Sequence, residues 1–268
     1  MEKQKKRYQF KSIQLWKDSI AIGFAIFGVL SAIIGVLGCS LANVSENIWI
    51  RISLMMFILI GIYLVAVFIL WFKSKDSVTM KIRGIKVTVC QGDIFKQDGW
   101  KVIGVDDTFS ISEDDAIISH SSLHGKLIKQ LKEDQEEFKT FKDTIKKKKS
   151  KVLLGGVITY KDFILLALTH LNSVNEAHID NLNYESIMRK MWIEIGTVYS
   201  GRPICLPILG DGITRFDGVA EKPSPYELLK CMLCTLKTSS VQLKAPITIV
   251  VYDRINEISL YNLKKFIS

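Results

Sequence analysis

Over the first quarter of the chain, polar and apolar positions stop alternating. Two stretches, Ser19–Ala42 and Ile52–Phe72, carry no charged side chain, and the polar segment Asn43–Arg51 joins them. A helix rises ~1.5 Å per residue and the hydrocarbon core of a bilayer is ~30 Å thick, so ~20 apolar residues span it. Both stretches reach that length. A soluble core helix rarely stays uncharged for so long, and a cleavable leader is not followed at once by a second apolar run. The pattern predicts a transmembrane hairpin within residues 1–77, with spans at about 19–42 and 52–72.

Past Asp76 the apolar runs shorten to the lengths of strands and packed helices. Lys86–Gln91, Trp100–Val105, Ile204–Leu209 and Ile247–Tyr252 read as strands, and Val152–Tyr160 with Phe163–Thr169 as a hairpin turning at Lys161-Asp162. Helical spacing marks Leu123–Leu131, Tyr184–Tyr199, Pro225–Leu236 and Ile255–Ile267, and the charged stretch Lys132–Ser150 lies between two such elements. This order predicts, for residues 78–268, a three-layer α/β/α domain with a mixed sheet covered by helices on both faces.

Charge adds an orientation. The formal net charge is +9. Lys3, Lys5, Lys6, Arg7, Lys11 and Lys17 precede the first span and Lys73, Lys75, Lys81 and Arg83 follow the second, while the joining loop holds only Arg51 with Glu46 nearby. The positive-inside bias therefore places both termini in the cytoplasm, and Trp16, Trp49 and Trp71 fall near span ends where indoles favour the headgroup layer. Part of the positive excess is topogenic. The run Lys146–Lys149, with Lys139, Lys142 and Lys151, reads as a solvated linker first and a contact for anionic headgroups second. The run Lys146–Lys149 itself has no interleaved aromatics or recognition motif, which argues against nucleic acid.

Within the first span, Ala21, Ala25, Gly28, Ala32, Gly35 and Cys39 recur at steps of four and three, forming one stripe of small residues. Small residues allow close helix approach in lipid. Two readings stand: packing against the second span, or self-association of several hairpins into a homo-oligomer. The five cysteines suit a reducing cytoplasm. Cys231 and Cys234 form a CxxC in mid-helix, with no second pair or nearby His for a metal, and read as core packing.

Three segments at strand ends carry ligand-binding chemistry, where mixed α/β sheets place their sites. Gln91-Gly92-Asp93-Ile94 puts a carboxylate after a strand, able to accept a hydrogen bond from an exocyclic amine. Gly210-Asp211-Gly212-Ile213-Thr214 follows the strand beginning at Ile204; its glycines let backbone amides cradle a phosphate, with Arg215 and Phe216 offering a charge and a stacking face. Asp106-Asp107 ends a strand, and Ser122-Leu123-His124-Gly125 opens a helix whose free amides suit an anion. Each has a plainer reading: an ordinary turn for the first two, and a helix cap for Ser122.

Taken together, the three segments resemble a macro domain, the ADP-ribose-binding α/β module, from about Lys81 to Ser268. The resemblance implies that Asp93, followed by Ile94, meets the adenine amine, that Gly210, Gly212, Ile213 and Thr214 meet the diphosphate, that Phe216 faces a ribose and that Tyr252 flanks the adenine. Common macro domains carry an Asn-Ala-Ala-Asn segment and a glycine run in the first loop. Here that region holds Asp106-Asp107-Thr108-Phe109 and then Ser122-Leu123-His124-Gly125. Binding is thus favoured over catalysis, with no catalytic residue, metal or cofactor expected and His124 at most a ligand contact. The whole architecture resembles the membrane effectors of type II Thoeris anti-phage defence. That resemblance implies a bacterial inner-membrane protein that senses an ADP-ribose-derived signal, a histidine conjugate made by a partner TIR-domain enzyme, and then damages the bilayer. The alternative is a membrane-anchored hydrolase or reader of ADP-ribosylated substrates.

Overall fold

The computed structural model describes residues 13–36, 45–73, 77–111, 118–260 and 262–263. The chain divides into two compact units, Met1–Val78 with Asn256–Lys265, and Thr79–Ile255 with Phe266–Ser268.

The first unit holds α1 (Ile13–Val36) and α2 (Ile48–Lys73). Both are long and apolar enough to cross a membrane, and only 11% of the residues in either apolar window are buried. Each helix begins before its charge-free run. α1 takes in Lys17 and Asp18, and α2 starts early because the Asn47 side chain accepts the Trp49 amide at 2.9 Å, a capping bond that satisfies one open N–H. Arg51 therefore lies in the first turn of α2 and not in the loop, where its Nε donates to the Ser45 carbonyl at 2.5 Å. The far end of the predicted first span, including Cys39, lies outside the described residues.

α1 and α2 meet where Tyr63 donates its hydroxyl to the Trp16 carbonyl at 3.2 Å, with the two rings 5.9 Å apart, and Leu15, Ser19, Ala66, Val67 and Leu70 of these helices are buried. The glycine facing α2 is Gly23, where an added Cβ would stand 3.8 Å from Tyr63 and 4.0 Å from Ala66. Ala21, Ala25, Gly28, Ala32 and Gly35 are all exposed, and a Cβ at Gly28 or Gly35 meets nothing within 4 Å. The small-residue stripe is thus not the face that packs on α2. The predicted final helix is also interrupted. A 3-10 turn covers Ile255–Glu257, and a new helical turn follows in which the Ser259 hydroxyl accepts the Asn262 amide at 3.2 Å. A serine that caps a turn ends the run before it.

The second unit is built on a nine-stranded sheet in the order β1-β2-β9-β7-β3-β5-β6-β8, with β4 paired to β5. Its strands are β1 (Ser77–Ile82), β2 (Ile85–Gln91), β3 (Trp100–Asp106), β4 (Val157–Tyr160), β5 (Phe163–Leu171), β6 (Ala177–Asp180), β7 (Ile204–Pro207), β8 (Arg215–Asp217) and β9 (Ile247–Val251). β2, β9, β7, β3 and β5 run parallel, and β4 and β6 lie antiparallel to β5. The carboxyl ends of β3, β7 and β9 consequently share one edge. β1, β6 and β8 are additions to the sequence reading. β1 turns into β2 through Arg83 and Gly84, whose φ values of 51° and 86° suit a tight hairpin turn. β6 and β8 are too short and polar to show an apolar period.

α3 (Leu123–Leu131) and α4 (Gln135–Lys148) share a core with β3, β4 and β5 that includes Ile103, Val105, Leu127, Phe141, Ile145 and Leu165. α5 (Asn181–Val198) and α6 (Pro225–Lys237) bury Met191, Trp192, Leu229 and Met232. The solvated-linker reading of the run Lys146–Lys149, with Lys139, Lys142 and Lys151, is therefore corrected for the part that falls in α4. Phe138, Phe141 and Ile145 at helical spacing make it the amphipathic helix α4, capped by Asp134, with Lys146, Lys147 and Lys148 in its last turn where cations complement the helix dipole. Phe141 is 1% exposed, and Phe141→Ala is expected to cost about 3–5 kcal/mol in denaturant unfolding; a linker residue would cost almost nothing. In α6, Cys231 is half-buried and Cys234 exposed, so core packing fails for Cys234, which the helical turn carries off the buried face.

Candidate functional site

A cavity of about 570 Å³ opens at the shared carboxyl edge of the sheet. Its walls come from β3 (Gly104–Asp106), the end of β5, the start of α3, the loop after β7 and the end of β9. Of the residues singled out from sequence, Asp106, Ser122, His124, Gly210, Asp211, Gly212, Ile213, Thr214 and Tyr252 line it. Asp93, Ile94, Asp107, Gly125, Arg215 and Phe216 do not.

The loop after β7 is a backbone device. Gly210 has φ 83°, a left-handed conformation that glycine takes without strain, and a Cβ there would press on Phe216 at 3.0 Å. Phe216 on β8 is buried, and its ring lies 5.6 Å from that of Tyr184, whose hydroxyl donates to the Leu209 carbonyl at 2.8 Å. Phe216 thus backs the loop instead of facing the cavity. Lys222 Nζ donates to the carbonyls of Asp211 (2.9 Å) and Gly212 (2.6 Å), and Arg254 Nη1 to Asp211 Oδ1 at 2.6 Å. Lys222 thus holds the carbonyl side of the loop, and Arg254 holds the Asp211 carboxylate. Among the described residues the amides of Gly212 and Ile213 have no acceptor. Arg215 points its charge elsewhere: it pairs with Glu176, which with Asp217 also holds His178 across β6 and β8. Those two carboxylates raise the His178 pKa.

Opposite this loop stands the start of α3. The Ser122 hydroxyl accepts the Gly125 amide at 2.9 Å and donates to the Ser119 carbonyl at 2.7 Å, so Ser122 is a helix cap that also lines the cavity. The amides of Leu123 and His124, at the first two helical positions, find no acceptor among the described residues. A Cβ at Gly125 would stand 2.3 Å from the Ser119 carbonyl oxygen, so only glycine lets the helix start pack this closely. Asp106 is spent on its own loop. Its buried carboxylate accepts the amides of Thr108 (3.0 Å) and Ser110 (3.1 Å) and the hydroxyls of both residues. Asp107 contributes its backbone, donating to the Thr169 carbonyl at 2.7 Å.

His124 is buried, and desolvation lowers its pKa to about 4 against a weaker upward pull from Asp106. It is neutral at pH 7. In the unfolded chain the imidazole titrates near 6.5. Stability from this group is therefore complete above pH 6.5 and lost as pH falls towards 4. The raised His178 acts with the opposite sign above pH 6.5, and the depressed Asp162 and Glu227 act in the lower carboxylate range. Unfolding free energy is expected to decline between pH 6.5 and 4, and His124→Gln to flatten that limb; an unchanged limb would mean a charged histidine.

Asp93 follows β2, and its carboxylate accepts the Phe95 amide at 3.0 Å as the cap of a 3-10 turn, while Ile94 sits in the core. The adjoining strand ends are neighbours, since Gln91 Nε2 donates to the Tyr252 carbonyl at 3.3 Å. Tyr252 is 64% exposed, and Lys126 Nζ stands 4.9 Å from its ring centre. Sequence reasoning missed Lys126 and Thr169 in the lining. Thr169, a polar residue closing the apolar run Phe163–Leu168, was a legible signal; Lys126 was one solvent-side lysine among many.

The matching family model is that of the Thoeris protein ThsA macro domain, over residues 87–252. Thoeris protein ThsA of Bacillus amyloliquefaciens (strain Y2) is 30% identical over 236 residues, covering 80% of this chain and 79% of that one. Among solved structures, a mutant macrodomain of Oceanobacillus iheyensis is similar at a TM-score of 0.48 and 13% identity, over 71% of this chain and 92% of that one. The same macrodomain with ADP gives 0.47 and 13%, over 70% and 94%. By the family model and the Bacillus relative together, the chain belongs to the Thoeris ThsA macro-domain family.

Proposed function

We propose that this protein is a membrane effector of bacterial anti-phage defence. Its domain of residues 78–268 binds an ADP-ribose-derived signal, and the hairpin within residues 1–77 responds by oligomerising and disrupting the inner membrane. The observation that carries this reading is one cavity lined by Gly212, Ile213, Leu123 and His124, whose amides find no acceptor among the described residues, in a ThsA-family chain. Backbone amides at a helix start and in a glycine loop are suited to a diphosphate. In this arrangement Tyr252 flanks the adenine, Asp93 accepts its amine beyond the β2 end, and His124 and Thr214 contact the bound ligand. Low burial of both apolar windows supports a lipid environment for α1 and α2, and the cations flanking the hairpin support cytoplasmic termini. The outward-facing stripe from Ala21 to Gly35 supports association with further copies. The signal is the product of a TIR-domain enzyme, with its histidine conjugate the first candidate.

Calorimetry of the detergent-solubilised chain with ADP-ribose and its amino-acid conjugates tests the reading. Saturable binding without turnover is expected. Absence of binding to every conjugate would remove the sensor role, and release of ADP-ribose from a conjugate would replace it with hydrolysis.

A further inference from the structure

The wall of the cavity runs directly into a segment that belongs with the hairpin. Tyr252 and Asp253 line the cavity, and Arg254, next in the chain, holds Asp211 of the glycine loop at 2.6 Å. After the 3-10 turn Ile255–Glu257 the chain joins the compact unit that contains α1 and α2. There Ser259 Oγ donates to Asp18 Oδ2 at 2.6 Å and Asn262 Nδ2 donates to Asp18 Oδ1 at 2.8 Å. Asp18 is 7% exposed and Ser259 1%. Ile258, Leu260 and Leu263 on the same segment are also buried. A buried carboxylate is costly unless hydrogen-bonded, and here each oxygen receives its own donor. The contact is a specific fastening on α1, three residues before the small-residue stripe begins at Ala21.

We infer that Arg254–Leu263 is a coupling strap that carries occupancy of the cavity to α1, with Asp18 as its fastening point. The inference rests on the reading of the cavity as a site for a phosphate-bearing nucleotide. Phosphates seated on the Gly212 and Ile213 amides bring negative charge beside Asp211 and offer Arg254 a second anion, so the Arg254–Asp211 pair is sensitive to the ligand. The connection onward along the chain is the 3-10 turn Ile255–Glu257 and Ile258. A shift of Arg254 is then passed to Ser259, and through two hydrogen bonds to α1. By linkage, a ligand acts at a distance only if it binds the two arrangements of the strap unequally.

Hydrogen exchange of the full chain in detergent, with and without ADP-ribose, tests this. Addition of ADP-ribose is expected to change exchange several-fold around Gly210–Thr214, and also in 258–263 and the first turns of α1. Inserting six Gly-Ser residues between Glu257 and Ile258 is expected to keep the first response and abolish the second. A wild-type response confined to the cavity, or an α1 response that survives the insertion, overturns the strap. No response at the cavity and no binding heat in the wild type overturn the nucleotide reading, and the strap with it. Should the insertion impair folding, an Asp18→Cys/Ser259→Cys pair supplies the same comparison: the α1 response should return on oxidation, and an equal response in both redox states counts against the fastening.

Discussion

Asp106→Ala is expected to cost about 1–3 kcal/mol of stability, on the scale of removing a buried acceptor from hydrogen-bonded donors. It should also raise the dissociation constant of a nucleotide in the cavity by roughly 100-fold, about 2.7 kcal/mol. The carboxylate gathers the amides and hydroxyls of both Thr108 and Ser110, and the loop it closes carries Phe109 into the core with φ 49°. A non-glycine residue persists in that conformation only where its surroundings over-determine it. Without the carboxylate, the Thr108 and Ser110 amides lose the acceptor that holds the turn, their hydroxyls keep only each other at 2.8 Å, and the β3 side of the cavity loses its shape. Asp106→Asn keeps one acceptor oxygen and should fall between the two. Chemical denaturation and calorimetry on the same preparations separate the effects. A variant that is destabilised yet binds normally would show that the loop supports the fold alone.

Gly125→Ala carries the second large effect, and its sign is the test. In an ordinary helix this change stabilises by about 1 kcal/mol. Here the new Cβ would stand 2.3 Å from the Ser119 carbonyl oxygen and 2.9 Å from its carbon, both backbone atoms. Overpacking of this kind typically costs about 1–3 kcal/mol. The strain is relieved by moving the first turn of α3 away from Ser119, which displaces the Leu123 and His124 amides from the cavity. Nucleotide affinity is expected to drop by roughly 10- to 100-fold, about 1.4–2.7 kcal/mol. A thermal midpoint above that of the wild type would refute the close approach.

These two residues also show how far the sequence could be read. Local pattern located α3 to the residue, because Ser122, the apolar spacing and Leu131 agree with one another. It placed Asp106 at a strand end but not its use, since the donors at Thr108 and Ser110 count only once the chain has turned back on itself. Phe216 illustrates the same limit. An aromatic residue after a glycine loop has two sides to go to, and pairing of β8 with β6 turns it behind the loop, against Tyr184. The lysine-rich stretch misled because its charges outnumber Phe138, Phe141 and Ile145, although spacing, not average polarity, decides whether a helix has a buried face. The outward direction of the Ala21–Gly35 stripe was not legible, because which face of α1 meets α2 depends on Gly23, Tyr63 and Ala66 together.

The fastening of Ser259 and Asn262 on Asp18 bears on inheritance. Residues far apart in the chain form one polar cluster, so the hairpin and the later segment cannot diverge independently: a change at Asp18 removes the acceptor of two donors, and a change at Ser259 removes the donor to Asp18 Oδ2. Hairpins exchanged between relatives should therefore work only when the segment after Ile255 travels with them. A fragment lacking the hairpin should be poorly behaved in solution, with Ile258, Leu260 and Leu263 stripped of their cover.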